Sequence, residues 1–262
     1  MRAFLLGWLL LARLAAQEGT FYENWNLEQN RRWIASRSSQ PEASVGVFAD
    51  YGVWNLGARS LVQALEESQL PCRVFDRSGL TRDKLSGLKV LILPGGLAPL
   101  QYQAAGKQGL EAVEQFVRSG GRVLAICAGA YLVSREVRYE GKSYPYPVGL
   151  FDGVAEGPVA GLAVYPKAGP ARLSLTEEGR ERGLGPIDGK SALYGSGPRF
   201  VGGSQVTVLA RYHDQSAAVV CRPLGKGEVV LSGVHFERPL EGKDSDPPPP
   251  EAASTLRALI RL

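Results

Sequence analysis

Between residues 44 and 126, short apolar runs alternate with longer segments of helical periodicity, and that alternation leaves few folds open to the chain. The runs at residues 45–49, 72–75, 89–93 and 122–126 are too short for helices and read as strands. Helical patterns fall between them at residues 56–67 and 109–118. Strands separated by helices require right-handed crossovers, which predicts an α/β fold with a mainly parallel central sheet and helices on both faces. After about residue 140 the pattern changes to short β-like runs, at 171–175, 191–194, 205–210, 217–221 and 227–231. With no linker before them, they are expected to add antiparallel strands to the same sheet in the C-terminal half.

A hydrophobic fraction of 44% in 262 residues is ample for a sizeable core, so disorder is not the default reading. The 30 Lys and Arg residues exceed the 26 Asp and Glu by four, and they are scattered. No basic stripe marks a nucleic-acid footprint, so no nucleic-acid partner is expected. Residues 1–16 carry a basic start, an apolar stretch and a small-residue end, the layout of an export signal cleaved after Ala16. A buried or interfacial N-terminal helix is the alternative. Cleavage would leave a periplasmic or secreted protein without a stable membrane anchor, because the first cysteine, Cys72, lies too far along for lipidation. Residues 17–43 read as a polar and aromatic arm, residues 44–240 as the α/β domain, and residues 241–262 as a proline-rich spacer with a last helix. Three cysteines, Cys72, Cys127 and Cys221, lack the paired spacing of a zinc site, and no metal or other cofactor is called for. Whether Cys72 and Cys221 bridge is left open, as is the oligomeric state.

The chemistry concentrates at strand ends. The run Arg122-Val-Leu-Ala-Ile126 stops on Cys127 and continues into Ala128 and Gly129, the small neighbours that a strained nucleophile elbow needs. Pro94-Gly95-Gly96 closes another strand, and its amides, with that of Ala128, could hold a developing oxyanion. About a hundred residues beyond the elbow, another run ends in His235-Phe236-Glu237. In an extended segment residues two apart face the same way, so Glu237 can bond one imidazole nitrogen while the other faces Cys127. Tyr51 and Asn55, with Trp54, lie beyond the first strand and are weighed as substrate contacts against ordinary loop packing. Residues 144–158 could form a wall of the site. The second histidine, His213, falls in a polar turn and is read as solvated.

These segments resemble the class I glutamine amidotransferase-like superfamily, and more closely the family named for the N-terminal domain of biotin-protein ligases. The motifs that carry the likeness are Leu93-Pro-Gly-Gly96, Ile126-Cys-Ala-Gly-Ala-Tyr131, Gly149-Leu-Phe-Asp-Gly153, Gly225-Lys-Gly227 and Ser232-Gly-Val-His-Phe-Glu237, spread over residues 44–237. The resemblance implies a flavodoxin-like sheet with Cys127 as nucleophile, His235 as base, Glu237 as orienting acid, and Gly95, Gly96 and Ala128 as oxyanion contacts. Ala125 stands where the amidotransferase elbow has its first glycine, and Val234 where close relatives often carry proline. The biotin-ligating domain has no counterpart in these 262 residues, so biotin transfer is not implied.

Hydrolysis of a C–N amide-type bond in a small molecule or peptide, through a thioester on Cys127, is the expected function. Two other readings stay open at this point: a binding module that kept the pocket and lost the reaction, and a cysteine-based redox or aldehyde-handling protein.

Overall fold

The computed structural model describes residues 27–38, 42–146, 149–241, 243 and 245–261. The leader at 1–16 and Phe21, Tyr22 and Trp25 of the arm lie outside them. Within the arm, residues Leu27–Arg37 form a helix, α1. Trp33 on α1 packs against the domain core, with the guanidinium of Arg59 4.6 Å above its ring.

The alternating half folds as its pattern predicts. It runs β1 (Val45–Phe48), α2 (Asn55–Glu67), β2 (Cys72–Phe75), α3 (Arg82–Leu85), β3 (Val90–Leu93), α4 (Ala98–Arg118) and β4 (Arg122–Ile126). β1 pairs in parallel with β2 and β3, and β3 with β4. Every residue of β3 is buried, because the strand is covered on both faces and each side chain has a layer to enter. Val90 and Ile92 point to the layer that holds Leu61 and Leu65 of α2, while Leu91 and Leu93 enter the layer that holds Leu110, Val113 and Val117 of α4. Each such fully buried aliphatic side chain stabilises the fold by about 1.5–3 kcal/mol.

The chain continues through α5 (Ala128–Leu132), β5 (Ser134–Tyr139), β6 (Lys142–Pro145), β7 (Phe151–Gly157), β8 (Gly169–Arg172), β9 (Ser174–Leu175), α6 (Glu177–Glu181), β10 (Ser191–Tyr194) and β11 (Arg199–Val201). It ends with β12 (Thr207–Arg211), β13 (Ala217–Leu224), β14 (Gly227–Ser232) and α7 (Ala252–Ile260). The large sheet has the order β2-β1-β3-β4-β14-β13-β11-β7-β5-β6, with β12 on β13 and β9 on β12.

Three expectations are corrected here. β14, expected to be antiparallel, lies parallel to β4 and extends the central sheet; antiparallel pairing begins at β13. β8 and β10 form a separate two-stranded sheet instead of joining the large one. Strands β5, β6, β7 and β11 were not expected at all. The fold is nonetheless the predicted one, a mixed α/β domain around a mostly parallel sheet with antiparallel additions.

Candidate active site

Cys127 follows β4 with φ 51° and ψ −108°, a left-handed conformation that strains any residue with a side chain. Packing enforces it from three sides. The Cys127 N–H donates to the Ser232 carbonyl at 2.7 Å, and its carbonyl accepts from the Tyr131 N–H as α5 begins. Gly129 lies so close to the Leu93 carbonyl that any β-carbon there would overlap it. Ala125, which replaces the usual elbow glycine, is fully buried among the core residues on the α4 side of the sheet, so the departure is absorbed by packing.

Because β14 runs parallel to β4 with Ser232 beside Ile126, the chain leaving β14 emerges at the same sheet edge as Cys127. A turn closed by Ser232 Oγ, which accepts from the Val234 N–H at 3.2 Å, directs His235 back over the sheet end. The His235 N–H donates to the Leu193 carbonyl at 2.8 Å. Glu237, two residues on, places Oε1 2.7 Å from His235 Nδ1. That leaves Nε2 free of Glu237, and the ring and Cys127 line the same small cavity. Burial alone would lower the pKa of the imidazole, but Glu237 and Cys127 outweigh it and raise it to about 10. The Glu237 carboxylate is fully buried against the first turn of α2, where Gly57 leaves room for it and the helix N-terminus favours negative charge. Trp54 stands edge-on to the imidazole at 5.1 Å.

The glycine turn lies on the other side of the histidine. Gly95 packs directly against the imidazole, and Gly96, at φ 139°, meets the backbone of Gly52 and Trp54. The Gly95 carbonyl accepts from the Trp54 N–H at 2.8 Å. Gly96, Trp54, Cys127, His235, Tyr165 and Gly195 line a cavity of about 20 Å³, room for a single water molecule. Ala128 is buried at the start of α5, immediately after the nucleophile.

The structure therefore brings Cys127, His235, Glu237, Gly95, Gly96 and Ala128 together. Tyr51 and Asn55 do not line the cavity: Tyr51 is 38% exposed and Asn55 opens α2. Trp54 lines it in their place. The wall expected from residues 144–158 is instead supplied by Tyr165, Ala168, Leu193 and Gly195. The Cys127 thiol donates to the Gly195 carbonyl at 3.8 Å. The next residue, Ser196, has φ 64°, and its Oγ accepts from the Tyr165 N–H at 2.7 Å, tying the two covering segments together. Tyrosine hydroxyls fix this turn from below: Tyr131 donates to the Ser196 carbonyl at 3.0 Å, Tyr194 to Gly197 at 2.8 Å and Tyr212 to Pro198 at 2.9 Å. Tyr194-Gly-Ser-Gly-Pro198 carries the same signal as Pro94-Gly95-Gly96, glycines just after a strand, and that signal could have located it.

All three cysteines are free and buried. Cys72 and Cys221 sit on β2 and β13, five strand spacings or roughly 24 Å apart, far beyond the reach of a disulfide. Burial, reinforced by Glu66, pushes the Cys72 thiol up to about 11, and burial also raises Cys221. His213 is exposed in the β12–β13 turn, as expected.

Known proteins resemble this chain in sequence and in fold. The family profile described as biotin-protein ligase, N-terminal, matches residues 79–259. An uncharacterised protein of Chlamydia muridarum is 31% identical over 212 residues, which cover 73% of this chain and 79% of that protein. The biotin-protein ligase of Schizosaccharomyces pombe is 28% identical over 184 residues, 65% of this chain but only 29% of the ligase, so the likeness spans under a third of that enzyme. Among solved structures, a glutamine amidotransferase shares the fold, with a TM-score of 0.55 and 23% identity over 74% of this chain and 91% of its own.

Proposed function

The chain belongs to the family of biotin-protein ligase N-terminal domains within the glutamine amidotransferase-like superfamily, and from that premise we propose that it is a thiol-dependent amidohydrolase. The observation that carries this reading is the buried pair in which Glu237 holds His235 Nδ1 at 2.7 Å, with the imidazole and the strained Cys127 lining one small cavity. Sulfur at Cys127, its proton taken by His235, attacks the carbonyl carbon of an amide. Negative charge develops on the carbonyl oxygen, where the N–H groups of Gly95, Gly96 and Ala128 receive it. The C–N bond then breaks, His235 passes its proton to the leaving amine, and a thioester remains on Cys127. Water, activated by the same imidazole, cleaves the thioester and restores the thiol.

A cavity of about 20 Å³ cannot hold an amide substrate, so turnover needs the cover to open. Residues 160, 161, 164 and 166–168 of that cover are exposed, and its Tyr165 N–H bond to Ser196 is the tie that would have to break. The substrate class is a small-molecule or peptide amide, and the compartment proposed is the periplasm or exterior, on the strength of residues 1–16.

Ammonia or amine release from a panel of small carboxamides and peptide anilides, compared with the Cys127→Ala protein, tests the reading. Release that depends on Cys127 supports it. A panel without release, together with reversible sulfenic acid formation at Cys127 under peroxide, would favour the redox alternative.

A further inference from the structure

Gln101, on the first turns of α4, is fully buried and makes contacts that the reaction described above does not use. Its side-chain Nε2 donates to the carbonyls of Pro94 at 3.0 Å and Gly95 at 3.2 Å, and lies 3.5 Å from that of Gly52. Its Oε1 is buried with no partner. The amide orientation is fixed by this surround, since a flip would set an oxygen against three oxygens. A buried polar group with one end unsatisfied costs stability that an aliphatic residue of the same size would not, which directs attention to what the donors achieve.

In a trans peptide the carbonyl and the following N–H point in opposite directions. The bonds linking Gly95 and Gly96 and linking Pro94 and Gly95 are both trans. Drawing the Gly95 carbonyl onto Gln101 and the Trp54 N–H therefore turns the Gly96 N–H the other way, toward the cavity it shares with Cys127. Holding the Pro94 carbonyl likewise turns the Gly95 N–H away from Gln101. We propose that Gln101 is a positioning residue for the oxyanion hole, setting the amides of Gly95 and Gly96 against the thiol while touching neither substrate nor sulfur. This rests on the acyl-transfer reading given above.

Two reactions of Cys127 separate such a role from a merely structural one. Acylation by p-nitrophenyl acetate passes through an oxyanion, whereas alkylation by iodoacetamide does not. In Gln101→Met and Gln101→Glu proteins, acylation at Cys127 is expected to slow about 10- to 100-fold, while alkylation stays within about threefold of the parent. Two variants guard against one failing to fold, and a thermal melt reports on both. Unchanged acylation, or equal slowing of both reactions, overturns the inference. A parent protein whose Cys127 alkylates but is never acylated overturns the acyl-transfer reading beneath it.

Discussion

Gly95 and His235 are in direct contact: the imidazole lies where a side chain on residue 95 would have to go. The glycine turn and the base thus share one volume, and the position of the ring depends on a missing methyl group. Gly95→Ala is expected to displace the ring from Cys127. Alkylation of Cys127 by iodoacetamide should slow by about tenfold or more, with the melting temperature lowered by only a few degrees. Alkylation at the parental rate would show that the ring has another place to stand.

Titration of His235 gives a pH signature with a definite sign. Its pKa is raised in the folded protein from 6.5 to about 10, so its contribution to stability is complete below pH 6.5 and is lost as pH rises toward 10. Denaturant melts should show stability declining over that interval more steeply in the parent than in His235→Gln. Cys127→Ala removes one of the two groups that raise the imidazole pKa, and its slope should fall between those two.

A second pair sets the acid limit. Arg182, whose side chain is 1% exposed, grips Glu228 on β14 at 2.9 and 2.6 Å and donates to the Leu259 carbonyl at the end of α7. Desolvation pushes the Glu228 pKa up, but the Arg182 hydrogen bonds and charge prevail and lower it. Its contribution is therefore present above the unfolded value near 4.5 and is lost as pH falls below it. Removing Arg182 leaves the largely buried Glu228 carboxylate with only more distant cations such as Arg261, at 4.0 Å, so Arg182→Ala should cost about 3 kcal/mol at pH 7 and less at pH 4, measured by urea unfolding.

The cysteines should differ sharply in reactivity. Burial raises both Cys72 and Cys221, and neither faces an imidazole, so peptide mapping after brief iodoacetamide treatment of the native protein should find the label on Cys127. Denaturation should expose all three cysteines to the reagent.

Much of this was legible in the chain. Residues 72–75 and 122–126 form the strands their apolar runs predict, because a doubly covered strand needs little more than a continuous apolar run. His235 and Glu237 could be paired from their spacing alone, since a two-residue step on extended backbone fixes the side. β7 was invisible for the opposite reason: it buries alternate positions, but Gly153, Ala155 and Gly157 fill them and leave no β-branched pattern. In α4 the prediction began at 109, eleven residues after the helix does, because Gly106, at φ 65°, interrupts the periodicity. The direction of β14 depended on its long-range pairing with β4 and could not be read from its own residues. Gln101 escaped notice because its partners are backbone carbonyls, which have no sequence signature.

The central claim is that His235 activates Cys127 for attack on a carbonyl. It is tested most directly by trapping the acyl-enzyme: react the protein with p-nitrophenyl acetate, quench in acid and weigh the intact chain. The account predicts one added acetyl group on Cys127, labile to hydroxylamine, formed at least about a hundredfold more slowly in His235→Ala. An acetyl group that forms equally fast without the imidazole, or that settles on another residue, would contradict it.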